Sequence, residues 1–171
     1  MRLYSAKVDT IASEVITKLT ADGDLEVSNH QEATLDVSAV LKEYIRLDKE
    51  LSERAKDILE IRGLPHAHLA RTKRQLAEQK DFGLGDEAVT WITNQLVEAF
   101  MQSKNVDEVF ADDAVLRKKL KEIVRKHMAV EDELDTEVRA RIKNLQEGTS
   151  AWEVEYARVL DQVKQKHGIK E

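Results

Sequence analysis

The side chains best equipped for chemistry fall into a few groups. Glu131, Asp132, Glu133 and Asp135 crowd carboxylates onto one segment. Two carboxylates that converge in a pocket can share a metal or divide acid and base roles. Spread along a helix face they meet water instead, and that is the reading their context favours. His66 and His68 flank Ala67, and two imidazoles can begin a zinc site, but such a site takes three or four ligands and no third stands out. His127 and Glu131 are one helical turn apart, the spacing of an ordinary ion pair. Gly-rich phosphate loops, His-Glu-x-x-His and the nucleophile elbow are all absent. With no cysteine there is no thiolate nucleophile, zinc–thiolate site or disulfide. The expectation is a protein that is not an enzyme, with no catalytic residue, no metal and no cofactor.

Binding chemistry has more candidates. Arg62, Arg71, Lys73, Arg74 and Lys80 stand against a single Glu78 in one stretch. Arg117, Lys118, Lys119, Lys121, Arg125 and Lys126 stand against Glu122 in another. Lysine and arginine can displace counterions from RNA or DNA, and Arg71, Lys73 and Arg74 are the residues expected to do so here. Stacking partners for bases are scarce, since only Phe82 lies nearby. The formal net charge of −6 opposes a general attraction to polyanions. Trp91 and Trp152 are candidate interface residues, although tryptophan at helical spacing is more often core. Asp48 and His127 each interrupt the apolar seam of a long helical segment. Where such helices pack, the two could form a buried polar pair that fixes register and makes stability pH-sensitive. The competing reading turns each seam outward at that point.

These residues need helices to hold them. Charged residues make up 35% of the chain and aromatics only 5%, as in helices that each carry one apolar stripe. Val8, Ile11, Ala12, Val15, Ile16 and Leu19 repeat at helical spacing. A short extended candidate, Asp24 to Val27, precedes a long helix expected from about Leu35 to Ile61. Its seam runs Val37, Leu41, Tyr44, Asp48, Leu51, Ala55 and Ile58. A further helix is expected from about Pro65 to Lys80, with proline in its first turn. The plan then returns. Ala88, Trp91, Ile92, Leu96 and Phe100 share a face, and Val106 to Phe110 sits where the first loop sat. A second long helix is expected from Leu116 to Leu145. Ser150-Ala151-Trp152-Glu153 reads as a capping box for a last helix. All six glycines fall where helices would end. Leu41-Lys42-Glu43 matches Leu120-Lys121-Glu122, and Gly83-Leu84 matches Gly168-Ile169. The expected fold is all-α: a tandem helical repeat, residues 1–85 and 86–171, forming a helix bundle with the two long helices as neighbours.

The opening Met1-Arg2-Leu3, with Lys7-Val8, Ile11-Ala12 and Asp24-Leu25-Glu26-Val27, resembles the bacterial domain-of-unknown-function family numbered 507. So does the close, Tyr156-Ala157-Arg158-Val159-Leu160 through Lys166-His167-Gly168-Ile169. The resemblance spans nearly the whole chain as two tandem copies. It implies a small helical bacterial protein and supplies no catalytic or binding residues. The length and the Gly63 to Gly85 connection depart from the family's shorter members.

Met1 to Lys7 lacks the apolar run of a signal peptide, and no stretch approaches the roughly 18 apolar residues of a membrane span. Together with the missing cysteines this makes a cytoplasmic protein the expectation. A non-enzymatic protein–protein interaction or scaffold module is the expected function, with an unidentified protein as partner and no membrane contact. The alternative is an RNA- or ribosome-associated protein that uses its basic helix faces.

Overall fold

Val8, Ile11, Ala12, Val15, Ile16 and Leu19 are all buried along one side of helix α1, Val8–Ala21, as their spacing requires. The computed structural model describes residues 2–168, apart from the side chain of Glu131, and is mainly α-helical. Strand β1, Leu25–Val27, leads into the long helix α2, His30–Arg62. A short helical turn, His66–His68, precedes α3, Leu69–Gln79. Then come α4, Glu87–Gln102, strand β2, Val106–Val109, the long helix α5, Asp113–Arg141, and α6, Ser150–Lys166.

Several boundaries differ from expectation, each for a local reason. Helix α2 starts at His30 because Asn29 caps it, its Oδ1 accepting from the Glu32 N–H at 3.1 Å. Pro65 stays extended, with ψ 155°, ahead of the short turn rather than opening a helix. Helix α5 stops at Arg141 instead of Leu145, since Ile142 leaves helical geometry at φ −120°, ψ 22°. The cap of α6 is Thr149, not Ser150: the Thr149 hydroxyl accepts from the Trp152 N–H at 3.3 Å. Ile169, matched to Leu84 in the expected repeat, lies outside the described residues.

The two extended segments pair with each other. Leu25 stands opposite Val109, Glu26 opposite Glu108 and Val27 opposite Val106, antiparallel, with an irregularity between Glu26 and Val27. This ribbon joins the two halves of the chain. Helix α1 packs on both α2 and α5, and so does α4. The long helices were expected to be neighbours, but α1 and α4 stand between them because those two carry the more complete apolar faces. One apolar cluster therefore draws Leu19, Leu41, Phe100 and Leu120 from both sides of the 85/86 boundary. A second, smaller cluster joins Leu134, Val138 and Ile142 of α5 and its end to Val159 and Val163 of α6. The first half of α5 thus belongs to the main core, and its second half forms an arm with α6. No helix among the described residues is long and apolar enough to cross a membrane.

Candidate functional site: a cleft between the arm and the main core

The arm and the main core meet beside Leu3. The open cleft there has two adjoining parts that share Arg2, Leu3, Asp48, Ser52 and Glu147. One part, about 490 Å³, adds Tyr44, Lys73, Arg74, Leu84 and Arg139 to its lining. The other, about 460 Å³, adds Ile45, Lys56, His66, Leu69 and Trp152.

Local sequence explains the core-side wall. Leu69, Leu76 and Ala77 turn one face of α3 inward, and Lys73 lies on the same face one turn after Leu69. It meets Asp48, the polar member of the α2 seam, at 2.7 Å, with both side chains roughly a quarter exposed (21% and 27%). The two polar interruptions thus answer each other. Tyr44, one turn before Asp48, donates its buried hydroxyl to the Gly83 carbonyl at 2.9 Å. Burial raises that phenol above its ordinary value, with the Asp48 charge adding to the effect.

The arm-side wall is a connected polar network. Arg139 reaches Asp135 one turn earlier at 2.9 Å and grips Glu147 with both ends of its fork, at 2.8 and 3.1 Å. Its guanidinium lies 5.2 Å from the centre of the Trp152 ring, and Trp152 stacks on Tyr156 at 5.0 Å. Tyr156 donates to Asp135, and its hydroxyl lies 3.4 Å from that of Tyr4. Burial pushes the Asp135 carboxyl up, but hydrogen bonds from Tyr156 and Arg139 outweigh it and leave the group below its usual range. Burial, reinforced by Asp135, pushes the Tyr156 phenol up to about 12. The Arg139 hydrogen bonds hold Glu147 below the usual carboxylate range. Each of these groups is committed to a partner, so the network fixes the arm's side chains relative to one another.

Two cations are left over in the first part of the cleft, as are Lys49 and Lys56 in the second. Arg2 lies over the Tyr4 ring at 5.2 Å, and Arg74 is exposed at the cleft. Neither has a carboxylate partner among the described residues.

The expected site residues separate. Of Arg71, Lys73 and Arg74, only Lys73 and Arg74 line the cleft; Lys73 is held by Asp48, while Arg71 is exposed elsewhere. Asp48 and His127 do not meet. His127 pairs with Glu14 of α1 instead, in company with Lys126, because α1 stands between the long helices. Trp91 is half-buried against Tyr44 and Phe82, with ring centres 5.5 and 5.1 Å away. Trp152 is half-buried in the arm and borders the cleft. Half of the second basic stretch is answered by acids: Arg117 by Asp113 at 2.7 Å, Lys119 by Asp22 at 2.9 Å and by Asp24, and Lys126 by Glu14. Asp135, expected on a solvated face, sits in the network above; the side chain of Glu131, its expected neighbour and the expected partner of His127, lies outside the described set. Among the described residues no three His, Asp or Glu side chains gather as a metal site, and His66 and His68 have no third ligand. Sequence reasoning missed Arg2, Tyr4, Tyr156 and Glu147. Only the Asp135–Arg139 pair had a signal, its one-turn spacing.

The model of the protein of unknown function family DUF507 matches residues 1–169, and the chain belongs to that family. No curated protein matches the chain.

Proposed function

We propose that this DUF507 member is a non-enzymatic protein-interaction module that takes a segment of a partner protein in the cleft between its core and its arm. The observation that carries this reading is a row of partly exposed apolar side chains in an otherwise charged cleft. Ile45, Leu69 and Trp152 lie half-exposed along it, beside buried Leu3, and a partner side chain would complete their burial. The fixed network on the arm side adds support, because a preorganised wall loses little entropy on binding.

The same reading treats the chain as a tandem duplication closed into one helix bundle that acts in the cytoplasm. Both halves run helix, strand, long helix, shorter helix, and β1 pairs with β2. RNA association is the second reading, and it rests on the exposure of Arg71 and Arg74. Pairing of Lys73, Lys119 and Lys126 with acids weakens it.

Photo-crosslinking amino acids at Leu69 and Lys56, with one at Glu98 of α4 as a control, test the proposal in growing cells. The expected result is a protein adduct at the cleft positions that survives nuclease and is absent at Glu98. Adducts that vanish with nuclease, or that form equally at Glu98, overturn it.

A further inference from the structure

We propose that the partner segment is acidic, and that Arg2 and Arg74 at the basic end of the cleft receive its carboxylates; this rests on the cleft being the partner site. Four cations line that end, Arg2, Lys73, Arg74 and Arg139, against Asp48 and Glu147. Two of the four are already neutralised. Lys73 is held by Asp48, and Arg139 is held by Glu147 and Asp135. The remaining two guanidiniums line the same space of about 490 Å³ with no carboxylate partner among the described residues.

The surroundings sharpen their preference. Leu3, Tyr44 and Leu84 wall that space with apolar surface, which weakens water's screening of a charge placed there. A guanidinium presents a planar fork that matches a carboxylate through paired hydrogen bonds. Beyond Leu3 the cleft adds the apolar side chains Ile45, Leu69 and Trp152 among charged ones. A chain with carboxylates followed by apolar side chains complements both parts in order.

A single-stranded nucleic acid fits less well. Its affinity grows with the number of phosphates neutralised, and the cleft's unpaired cations, Arg2, Lys49, Lys56 and Arg74, share it with Asp48, Glu53, Glu147 and Glu153. The adjoining part sets Glu53, Glu147 and Glu153, with Asp48, against Arg2, Lys49 and Lys56, so a continuing phosphate backbone meets no net positive charge there. The Trp152 ring there is already in contact with Tyr156 and Arg139 and offers no vacant platform for a base.

Fluorescence anisotropy on the full chain tests this with labelled probes. The probes are a short peptide alternating glutamate and leucine, the same peptide with glutamine for glutamate, and an oligouridine. The glutamate peptide is expected to bind roughly tenfold or more tightly than the glutamine peptide, and to weaken as salt rises. Arg74→Glu is expected to remove at least that factor, while Arg71→Glu, an equal charge change outside the cleft, leaves binding unchanged. Both arginines are exposed, so melting curves of the two variants should match the parent. Equal binding of the two peptides, equal loss in both variants, no peptide binding at all, or Arg74-dependent binding of oligouridine alone would each overturn the proposal. If the peptide result fails while cleft-specific protein crosslinks persist, the acidic partner is wrong and the cleft reading stands. If both fail, both are wrong.

Discussion

At Glu14 one carboxylate meets both Lys126 and His127, and so ties α1 to α5. Partial burial pushes its pKa up, but the hydrogen bonds from Lys126 and His127, with their charge, outweigh that and leave it below the ordinary 4.5. The folded state therefore holds this proton less tightly than the unfolded state does. The contribution to stability is complete above pH 4.5 and is lost as pH falls through the lower folded value. Glu14→Gln is expected to cost about 1 kcal/mol near neutral pH, with the gap to the parent closing below pH 4.5, as measured by urea melts across pH. Tyr44 supplies a test without charge. Its hydroxyl is buried on the Gly83 carbonyl, so Tyr44→Phe leaves an acceptor unpaired and is expected to cost about 1 kcal/mol by thermal melt, with the helical content unchanged. Neither partnership was visible in the sequence. Asp48 and His127 were recognisable as polar breaks in apolar seams, but their partners lie on other helices, Lys73 on α3 and Glu14 on α1. Periodicity says which face of a helix turns inward; it does not say which helix it meets.

Helix existence, by contrast, is a local property, and it was legible. The stripe from Val8 to Leu19 is buried throughout, and Val37, Leu41, Tyr44, Leu51 and Ala55 of the α2 seam are buried too. Helix ends were less legible because several residues compete for each one. Thr149 and Ser150 both suit an N-cap, and the structure places the hydroxyl of Thr149 on the Trp152 N–H. Thr149→Ala is accordingly expected to destabilise the arm by about 1 kcal/mol, and Ser150→Ala by less than about 0.5 kcal/mol, as read from hydrogen exchange in α6. Gly63 and Gly83 were both expected to end helices, but for different physical reasons. Gly63 adopts φ 64°, the left-handed geometry that lets its own N–H and that of Leu64 close α2. Gly83 has no such φ; a Cβ there would stand 2.4 Å from the Glu87 carbonyl oxygen, so the constraint is close approach of α4. The cleft was only half legible. Lys73, Arg74 and Trp152 were singled out, whereas Arg2 and Glu147 enter through the packing of the arm on the core, which no local pattern encodes.

Across the whole molecule, stability is divided between two apolar clusters of unequal size. The main cluster spans α1, α2, α4 and the first half of α5, while the arm rests on Leu134, Val138, Ile142, Val159 and Val163. Met128 is the last α5 residue in the first cluster and Leu134 the first in the second, so α5 links them through a segment belonging to neither core. Across the gap the Tyr156 hydroxyl of the arm meets that of Tyr4 at 3.4 Å. A small core should open before a large one. Val163 is fully buried in the arm, and placing a carboxylate there leaves an unpaired charge in an apolar site. Val163→Asp is expected to abolish exchange protection in α6 and the second half of α5, a local loss of about 3 kcal/mol or more. Amides of α1, α2 and α4 should stay protected, because no residue of their cluster is altered. Hydrogen exchange read by mass spectrometry separates the two regions. Loss of protection throughout the chain would show instead that arm and core unfold as one cooperative unit.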